Sequence, residues 1–311
     1  MRVVISGATG FIGRALCRAL FADYEVVALS RNPGRAAHVV GDYARVVPWD
    51  AQRPQDWAEC VEGARAIVNL AGENVASGRW TTARKQRIRQ SRTQGAHAIL
   101  DAVRAATNKP AVVVQASAIG YYGSQGDEVL DESAPAGTGF LAEVCREAES
   151  VAAGFDATGV RCVIIRTGVV LGTDGGALPR LTKPFRFYAG GWIGSGRQWF
   201  SWIALADEIR AIRFLMETEG LTGAFNLTAP HPVTMKEFSR TLGATLHRPA
   251  WATVPGFAAR LIFGQVADEM LLASQRVLPR RLTQAGFSFQ YPEAKNALAT
   301  IMTGEETNES C

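Results

Sequence analysis

The sequence predicts an α/β fold in which a doubly wound parallel sheet carries helices on both faces. Two observations lead to this fold class. Short runs rich in Val and Ile recur along the chain, as in residues 2–6 and 111–117, and stretches with apolar residues at helical spacing, such as 96–103, lie between them. Strands and helices that alternate in this way form a parallel sheet.

The first element is a strand, a glycine turn and a helix. Residues 2–6 lead without a gap into the turn, and residues 14–20 continue at helical spacing. Gly7 allows a sharp turn, Gly10 lets the backbone approach a diphosphate, and Gly13 lets the helix pack closely on the sheet. The free amides of that helix favour phosphate. We predict a dinucleotide site here rather than a turn without a ligand, with contacts from Gly7, Thr9, Gly10, Phe11, Ile12 and Gly13.

The end of the second strand, residues 25–31, distinguishes NAD from NADP. An acidic residue at this position binds the ribose 2′-hydroxyl of NAD, whereas an arginine accommodates the 2′-phosphate of NADP. The chain has Ser30 and Arg31 and no carboxylate at the strand end. Because a guanidinium binds phosphate bidentately, the sequence favours NADP(H) as the cofactor. The alternative is that Arg31 is an ordinary solvated residue.

Further strands are predicted at residues 45–50, 66–72, 111–117 and 161–166. The second of these ends in Leu70, Ala71 and Gly72, where the backbone can approach the cofactor. A basic segment, residues 79–92, has charges on all sides and few aromatic residues. It therefore indicates a solvated helix with one or two functional arginines, not a surface for nucleic acid.

Composition excludes several other classes of protein. The 311 residues carry a net charge of only +4, too diffuse to indicate a nucleic-acid partner. Five scattered cysteines have no ligand spacing, so neither disulfides nor a metal site are expected. No apolar run approaches the roughly 18 residues of a membrane span, and no signal peptide begins the chain. We therefore expect a cytoplasmic protein that does not bind membranes.

The motifs of the first half resemble those of the extended short-chain dehydrogenase/reductase superfamily, of nucleotide-sugar epimerase type. The residues that carry this resemblance are 7–13, 69–72 and 117–123. The chain looks most like an atypical "epimerase family protein" branch with a C-terminal domain of unknown function. The additional motifs are residues 73–74, 91–92, 166–172, 194–199 and 277–282.

The resemblance implies a Rossmann domain for NADP over residues 1–170 and a smaller C-terminal α/β substrate lobe over 171–303. The family's C-terminal domain would cover about residues 247–295 of that lobe. Residues 304–311 are expected to form a disordered tail. In addition to the glycine turn, the cofactor residues implied by the resemblance are Ser30, Arg31, Leu70, Ala71, Arg92 and Val169. Arg87 is a weaker assignment because its basic neighbours could replace it.

The catalytic residues depart from the family's pattern. Ordinary members use a Ser, and a Tyr followed four residues later by a Lys whose charge lowers the Tyr pKa. In this chain Phe140 and Val144 occupy the expected Tyr and Lys positions, and Ala118 the Ser position. The usual acid–base groups are therefore absent. Substitutes expected near the nicotinamide are Ser117, Tyr121 and Tyr122. The alternative is that the tyrosines pack beneath the cofactor.

Residues 190–203 combine glycines, three tryptophans and an arginine. Flat aromatic surfaces and a guanidinium suit a planar or anionic small-molecule substrate, which Trp192, Arg197 and Trp199 would contact. Equally, the tryptophans could be core residues between the lobes.

Two classes of function therefore remain open. One is an NADPH-dependent oxidoreductase or epimerase-like enzyme with a non-standard proton donor. The other is a non-catalytic NADP(H)-binding sensor or structural protein. The apolar segments 261–264 and 270–272 fit either core or a homodimer surface.

Overall fold

The computed structural model describes residues 1–52 and 56–304. The strands in this part of the chain are β1 (Arg2–Ser6), β2 (Glu25–Ser30), β3 (Arg45–Pro48), β4 (Ala66–Asn69), β5 (Val112–Ala118), β6 (Val129–Leu130), β7 (Arg161–Thr167), β8 (Val169–Leu171), β9 (Gly190–Ile193), β10 (Trp199–Phe200), β11 (Trp202–Ala204), β12 (Gly223–Leu227), β13 (Val233–Thr234), β14 (Ala250–Val254) and β15 (Arg276–Val277).

The helices of the same residues are α1 (Phe11–Leu20), α2 (Pro33–Val40), α3 (Thr82–Ala105), α4 (Phe140–Ala152), α5 (Leu178–Arg186), α6 (Leu205–Glu217), α7 (Met235–Thr245), α8 (Gly256–Phe263), α9 (Arg280–Gln284) and α10 (Ala294–Thr303). A single π-helical turn, Ala267–Leu271, follows α8.

Seven strands form one parallel sheet in the order β12-β7-β5-β4-β1-β2-β3. The strand order reverses beside β1, which is the arrangement of a Rossmann fold and confirms the predicted fold class. All the carboxyl ends of these strands lie along one edge. At that edge Ser6 is paired with Asn69, and Ser117 with Arg166. Ligands of such sheets bind in the crevice outside this edge.

Alternate residues of each central strand face opposite helical layers. Val3 and Ile5 of β1 pack with Leu16 of α1 and Ile212 of α6, whereas Val4 packs in a second cluster with residues of α3. Because both faces are covered, the strands are continuous apolar runs without polar alternation. This is the pattern that made them recognisable in the sequence.

The segment assigned to the C-terminal lobe contributes to both parts of the molecule. Its strand β12 pairs in parallel with β7, so the main sheet takes its last strand from beyond residue 170. The remainder forms a separate cluster in which Phe185, Phe238 and Leu298 are buried, beside the parallel pair β9–β14. A capping box between Thr234 and Glu237 begins α7.

Two further sequence predictions concern the surface and the C-terminus. Among the described residues no helix is both long and apolar enough to cross a membrane. The basic segment is the N-terminal half of α3. Of the expected tail, Gly304 ends α10 and residues 305–311 lie outside the described residues.

Candidate functional site

The glycine turn is shaped by contacts that leave no room for side chains. Gly7 has a φ of +71°, and a Cβ there would lie 2.6 Å from the Leu70 carbonyl carbon. A Cβ on Gly13 would overlap the Gly7 carbonyl oxygen. Helix α1 follows with Gly10 as its N-cap and no side chain bonded to its first amides. These free N–H groups lie at the carboxyl edge of the sheet and can bind phosphate.

The other predicted residues of the turn have different environments. Thr9 is exposed and Ile12 half-buried at the start of α1. The Phe11 ring packs against the chain after β8, where a Cβ on Gly172 or Gly176 would lie 2.8 Å from it. Phe11 therefore holds the glycine turn against that loop.

The end of β2 presents the two residues predicted to select NADP. The Ser30 hydroxyl accepts a hydrogen bond of 3.2 Å from the Asn32 amide, and Asn32 caps α2 by accepting from the Arg35 amide. Arg31 is exposed between them. This turn therefore offers a hydroxyl and a free guanidinium on the surface.

Buried amides join the ends of β1, β4 and β5. Ser6 donates a hydrogen bond to Asn69, and the Asn69 amide donates to the Gln115 carbonyl oxygen at 2.8 Å. All three residues are buried beneath the strand ends. This network, which the sequence analysis did not anticipate, fixes the relative position of the three strands.

Two of the predicted arginines lie on α3, at different depths. The Arg92 guanidinium lies against Gly72 and donates to the main-chain oxygens of Glu73 and Ile88 at 3.2 and 3.1 Å. Its burial lowers the Arg92 pKa. Arg87 is exposed on the outer side of the helix. Of the two, Arg92 is therefore beside the end of β4, where Leu70 and Ala71 are half-buried.

The tip of β5 contains an ion pair that holds Ser117. Glu149 of α4 and Arg166 of β7 form a bidentate pair of 3.0 and 2.8 Å, and both side chains are almost fully buried. The Ser117 hydroxyl donates to the same Glu149 carboxylate at 2.6 Å. Arg166 is thus a fixed cation directly under the predicted reaction centre.

The two predicted tyrosines have opposite environments around Arg166. The Tyr122 hydroxyl donates to Asn226 at 2.7 Å and accepts from Arg166 at 2.9 Å, and the residue is completely buried. Burial raises the pKa of Tyr122 to about 12. Tyr121 is half-buried, its ring lies 3.5 Å from the Arg166 guanidinium, and its hydroxyl makes no hydrogen bond within the described residues. Of these two tyrosines, Tyr121 is therefore the one whose phenol has no hydrogen-bond partner among the described residues.

Helix α4 carries the residues at and beside the predicted Tyr and Lys positions. Phe140 and Val144 are buried in a cluster with Ile88 of α3, against which Leu141 also packs. The residues that face the tip are Leu141, whose Cβ would lie 3.2 Å from a Cβ on Gly120, and Cys145, whose thiol is 3.7 Å from the Ala118 carbonyl oxygen. Neither position carries a Tyr or a Lys.

A carboxylate from the C-terminal segment caps helix α4 beside Leu141. Glu269, in the π-helical turn, accepts hydrogen bonds from the amides of Phe140 and Leu141 at 3.0 and 2.8 Å. The Gln265 amide also donates to Glu269, at 2.6 Å. The C-terminal segment thus contacts the helix that usually carries the catalytic pair.

A second unanticipated carboxyl lies on the opposite face of the sheet. Glu208 of α6 is completely buried and accepts a hydrogen bond of 2.8 Å from the Thr167 hydroxyl. Burial raises the pKa of Glu208 to about 8. Thr167 ends β7, directly before Gly168 and the predicted cofactor residue Val169, whose β8 strand pairs with β11.

The predicted substrate residues lie on β9, β10 and the loop between them. Trp192 is half-buried with the Lys236 amine 5.0 Å from its ring, and Arg197 is exposed. The Trp199 indole donates to Asp127 at 2.8 Å and stacks with Arg276. Trp202, by contrast, is fully buried core. Trp202 therefore fits the interpretation as a core residue, and a substrate contact of Trp192 and Trp199 stays a prediction.

Comparison with known proteins identifies the family. The NAD dependent epimerase/dehydratase family matches residues 3–227. The chain belongs to this family. The domain of unknown function DUF1731 matches residues 254–301, close to the range expected for the C-terminal domain. Both findings confirm the resemblance drawn from the motifs.

In three relatives the similarity extends over nearly the whole of this chain. The epimerase family protein SDR39U1 homolog, chloroplastic, of Arabidopsis thaliana is 40% identical over 307 residues, covering 97% of this chain and 87% of the relative. The epimerase family protein ML0860 of Mycobacterium leprae is 38% identical, with 98% and 97% covered. The crystal structure of human epimerase family protein SDR39U1 (isoform 2) with NADPH is 32% identical, with a TM-score of 0.87 and 97% and 99% covered.

Proposed function

We propose that this chain binds NADP(H) across the carboxyl edge of its sheet and acts as an oxidoreductase or epimerase-like enzyme on a small, anionic substrate. The observation that carries the proposal is the glycine turn, where Gly7 and Gly13 admit no side chain and α1 begins with uncapped amides. The exposed Arg31 beside Ser30 supports the phosphorylated nucleotide. The NADPH in the human relative's structure supports the same choice.

The residues present fit such a cofactor along the whole edge. The turn of β1 would hold the pyrophosphate, Ser30 and Arg31 the 2′-phosphate, and Leu70, Ala71 and Gly72 would provide backbone contacts. Arg92 and Val169 would flank the nicotinamide end, with Arg87 further out. When bound, the nicotinamide supplies hydride transfer, and the protein's part is to bind, orient and handle protons.

Tyr121 is the proposed proton donor of this reaction. Its phenol is free, whereas the hydroxyls of Tyr122 and Ser117 are engaged by Arg166 and Glu149. The Arg166 guanidinium stacked on the Tyr121 ring supplies a cation near the phenol, as the Lys does in ordinary members of the superfamily. Tyr122 would then hold Arg166 directly, and Ser117 would hold it through Glu149.

The substrate would enter from the C-terminal side, over residues 171–303. Trp192 offers a flat surface beside the Lys236 cation, and the exposed Arg197 can bind an anionic group. Trp199 forms the neighbouring wall.

A binding measurement tests the cofactor part of the proposal. We expect calorimetry to show that NADPH binds at least tenfold more tightly than NADH, because Arg31 contacts the extra phosphate. Arg31→Ala should remove most of this preference, and Arg18→Ala, an exposed arginine on α1, should leave it unchanged. Equal affinity for both nucleotides, or none for either, would contradict the proposal.

A specific observation favours a second function, that of a non-catalytic NADP(H)-binding protein. Leu141 and Cys145 face the tip of β5 where a Tyr and a Lys would be required. Incubating the NADPH-bound protein with aldehydes, ketones, quinones and nucleotide-sugars separates the two functions. Oxidation of NADPH that is lost in Tyr121→Phe and kept in Tyr43→Phe supports the enzyme; no oxidation by any compound supports the second function.

A further inference from the structure

Glu208 is a buried carboxyl with an incomplete set of hydrogen bonds. One oxygen accepts from the Thr167 hydroxyl at 2.8 Å, and the other has no hydrogen-bond partner among the described residues. The same helix contributes Ile209, Ile212 and Leu215 to the buried hydrophobic core. A buried carboxyl that lacks a cation destabilises the fold, so its presence calls for a chemical role.

The position of Thr167 connects this carboxyl to the proposed nicotinamide end. Thr167 is the last residue of β7 and is paired with Ala118 of β5, where ordinary members of the superfamily have a catalytic Ser. Side chains of paired residues in a parallel sheet lie on the same face. Glu208 is therefore one hydrogen bond away from the edge at which the proposed function places the reacting ring.

Among the described residues, Thr167 is the partner of Glu208, and no ion pair involves this carboxyl. Arg166 lies on the opposite face of β7, paired with Glu149. On α6 itself, Asp207 bonds Arg210 and the main-chain amides of residues 290 and 291.

Helix α1, which packs on α6, directs its two arginines elsewhere. Arg14 donates to the Asp174 carbonyl oxygen, and Arg18 is exposed. Burial raises the pKa of the Cys17 thiol to about 12, so this group stays neutral.

We propose that Glu208, acting through the Thr167 hydroxyl, is the group whose protonation is coupled to the redox state of the bound nicotinamide. This inference rests on the proposed binding of NADP(H). The ring carries a positive charge when oxidised and none when reduced. A positive ring near the edge favours the Glu208 carboxylate, and a neutral ring favours the protonated acid.

The test compares affinities for the two redox forms, which requires no substrate. We expect the ratio of Kd for NADP⁺ to Kd for NADPH to fall on the order of tenfold between pH 6 and pH 9, within the range usual for coupled sites. The ratio falls because oxidised cofactor binds better as Glu208 ionises. Both nucleotides carry the same 2′-phosphate, so its own titration cancels.

Variants assign the effect to this pair of residues. In Glu208→Gln the ratio should not change with pH. Thr167→Val should weaken the pH dependence, and Thr167→Ser should retain it. Glu217→Gln is the matched control, since Glu217 lies on the same helix about 13 Å away and pairs with Arg213 on the surface; it should behave as wild type.

Each outcome bears on a different claim. A pH-independent ratio in the wild-type protein, with both nucleotides bound, overturns the coupling and leaves the proposed function intact. A pH dependence that persists in Glu208→Gln also overturns it. Failure of either nucleotide to bind contradicts the proposed function itself. If Glu208→Gln does not fold, the pH dependence of the Kd ratio in the wild-type protein and in Thr167→Val still tests the coupling.

Discussion

The two ends of the sheet's carboxyl edge differ in the groups they present. At the β1–β2 end the site consists of backbone: glycines without room for a Cβ, uncapped amides of α1, and an exposed Arg31. At the β5–β7 end it consists of side chains that bind one another, with Arg166 joined to Glu149, Tyr122 and the ring of Tyr121. The first end leaves binding groups exposed. At the second end the side chains of Glu149, Arg166 and Tyr122 bond one another, and the Tyr121 hydroxyl has no hydrogen bond among the described residues.

This contrast separates binding from chemistry. Backbone groups can bind phosphate whatever side chains surround them, so the cofactor end follows the pattern of the family. Acid–base chemistry depends on individual side chains, and here the facing positions hold Leu141 and Cys145. Variants at the β1–β2 end should therefore change mainly the nucleotide affinity. Variants at the β5–β7 end should change mainly the stability of the protein.

The largest effect is expected from Arg166→Met. Removing the guanidinium leaves the buried Glu149 carboxylate without its partner, which should lower the free energy of unfolding by about 3–5 kcal/mol. Urea denaturation measures this. The control Arg104→Met removes an exposed pair with Asp101 and should change stability by less than about 1 kcal/mol. Similar values for both variants would show that the β5–β7 end does not depend on its ion pair.

Glu208→Gln should instead stabilise the protein, and only at high pH. Burial raises the pKa of Glu208 from 4.5 to about 8, so the folded state keeps a proton that the unfolded chain releases. Wild-type stability therefore falls from about pH 4.5 to about pH 8 and is level above. The variant lacks this loss and should gain roughly 5 kcal/mol at pH 9. Chemical denaturation at pH 5 and pH 9 measures it, and an equal difference at both pH values would contradict it.

At the cofactor end, Gly13→Ala should weaken NADPH binding by at least a hundredfold, about 2.7 kcal/mol. The added Cβ overlaps the Gly7 carbonyl oxygen and must displace the turn. Gly34→Ala is the matched control, because a Cβ there meets only the Asn32 side chain at 4.0 Å and affinity should be unchanged. Calorimetry gives both values. Wild-type affinity in Gly13→Ala would show that phosphate is not bound at this turn.

The sequence alone predicted the parts that depend on local pattern. Apolar runs indicated the strands of the sheet, and the spacing of Gly7, Gly10 and Gly13 indicated the turn, because these features are set by neighbouring residues. The sequence did not show which side chains of α4 contact the segment after β5, because the length of an irregular loop does not determine helix register. Glu149 and Glu208 were missed, although each is a charged residue within an apolar helical face. Their partners lie on other strands, so only tertiary structure pairs them.

The smallest expected effect concerns the C-terminal segment. Glu269→Ala removes the carboxylate that caps α4 and should lower stability by about 1 kcal/mol, the usual value of such a cap. Glu269→Gln keeps the acceptor oxygen without the charge and should lose less. The control is Asp268→Ala, in the same π-helical turn as Glu269. It breaks an exposed ion pair with Arg260 of α8 and should have little effect on stability. If Glu269→Ala also leaves stability unchanged, the C-terminal segment does not hold α4 at the reaction end, and the contrast between the two ends would depend on Arg166 alone.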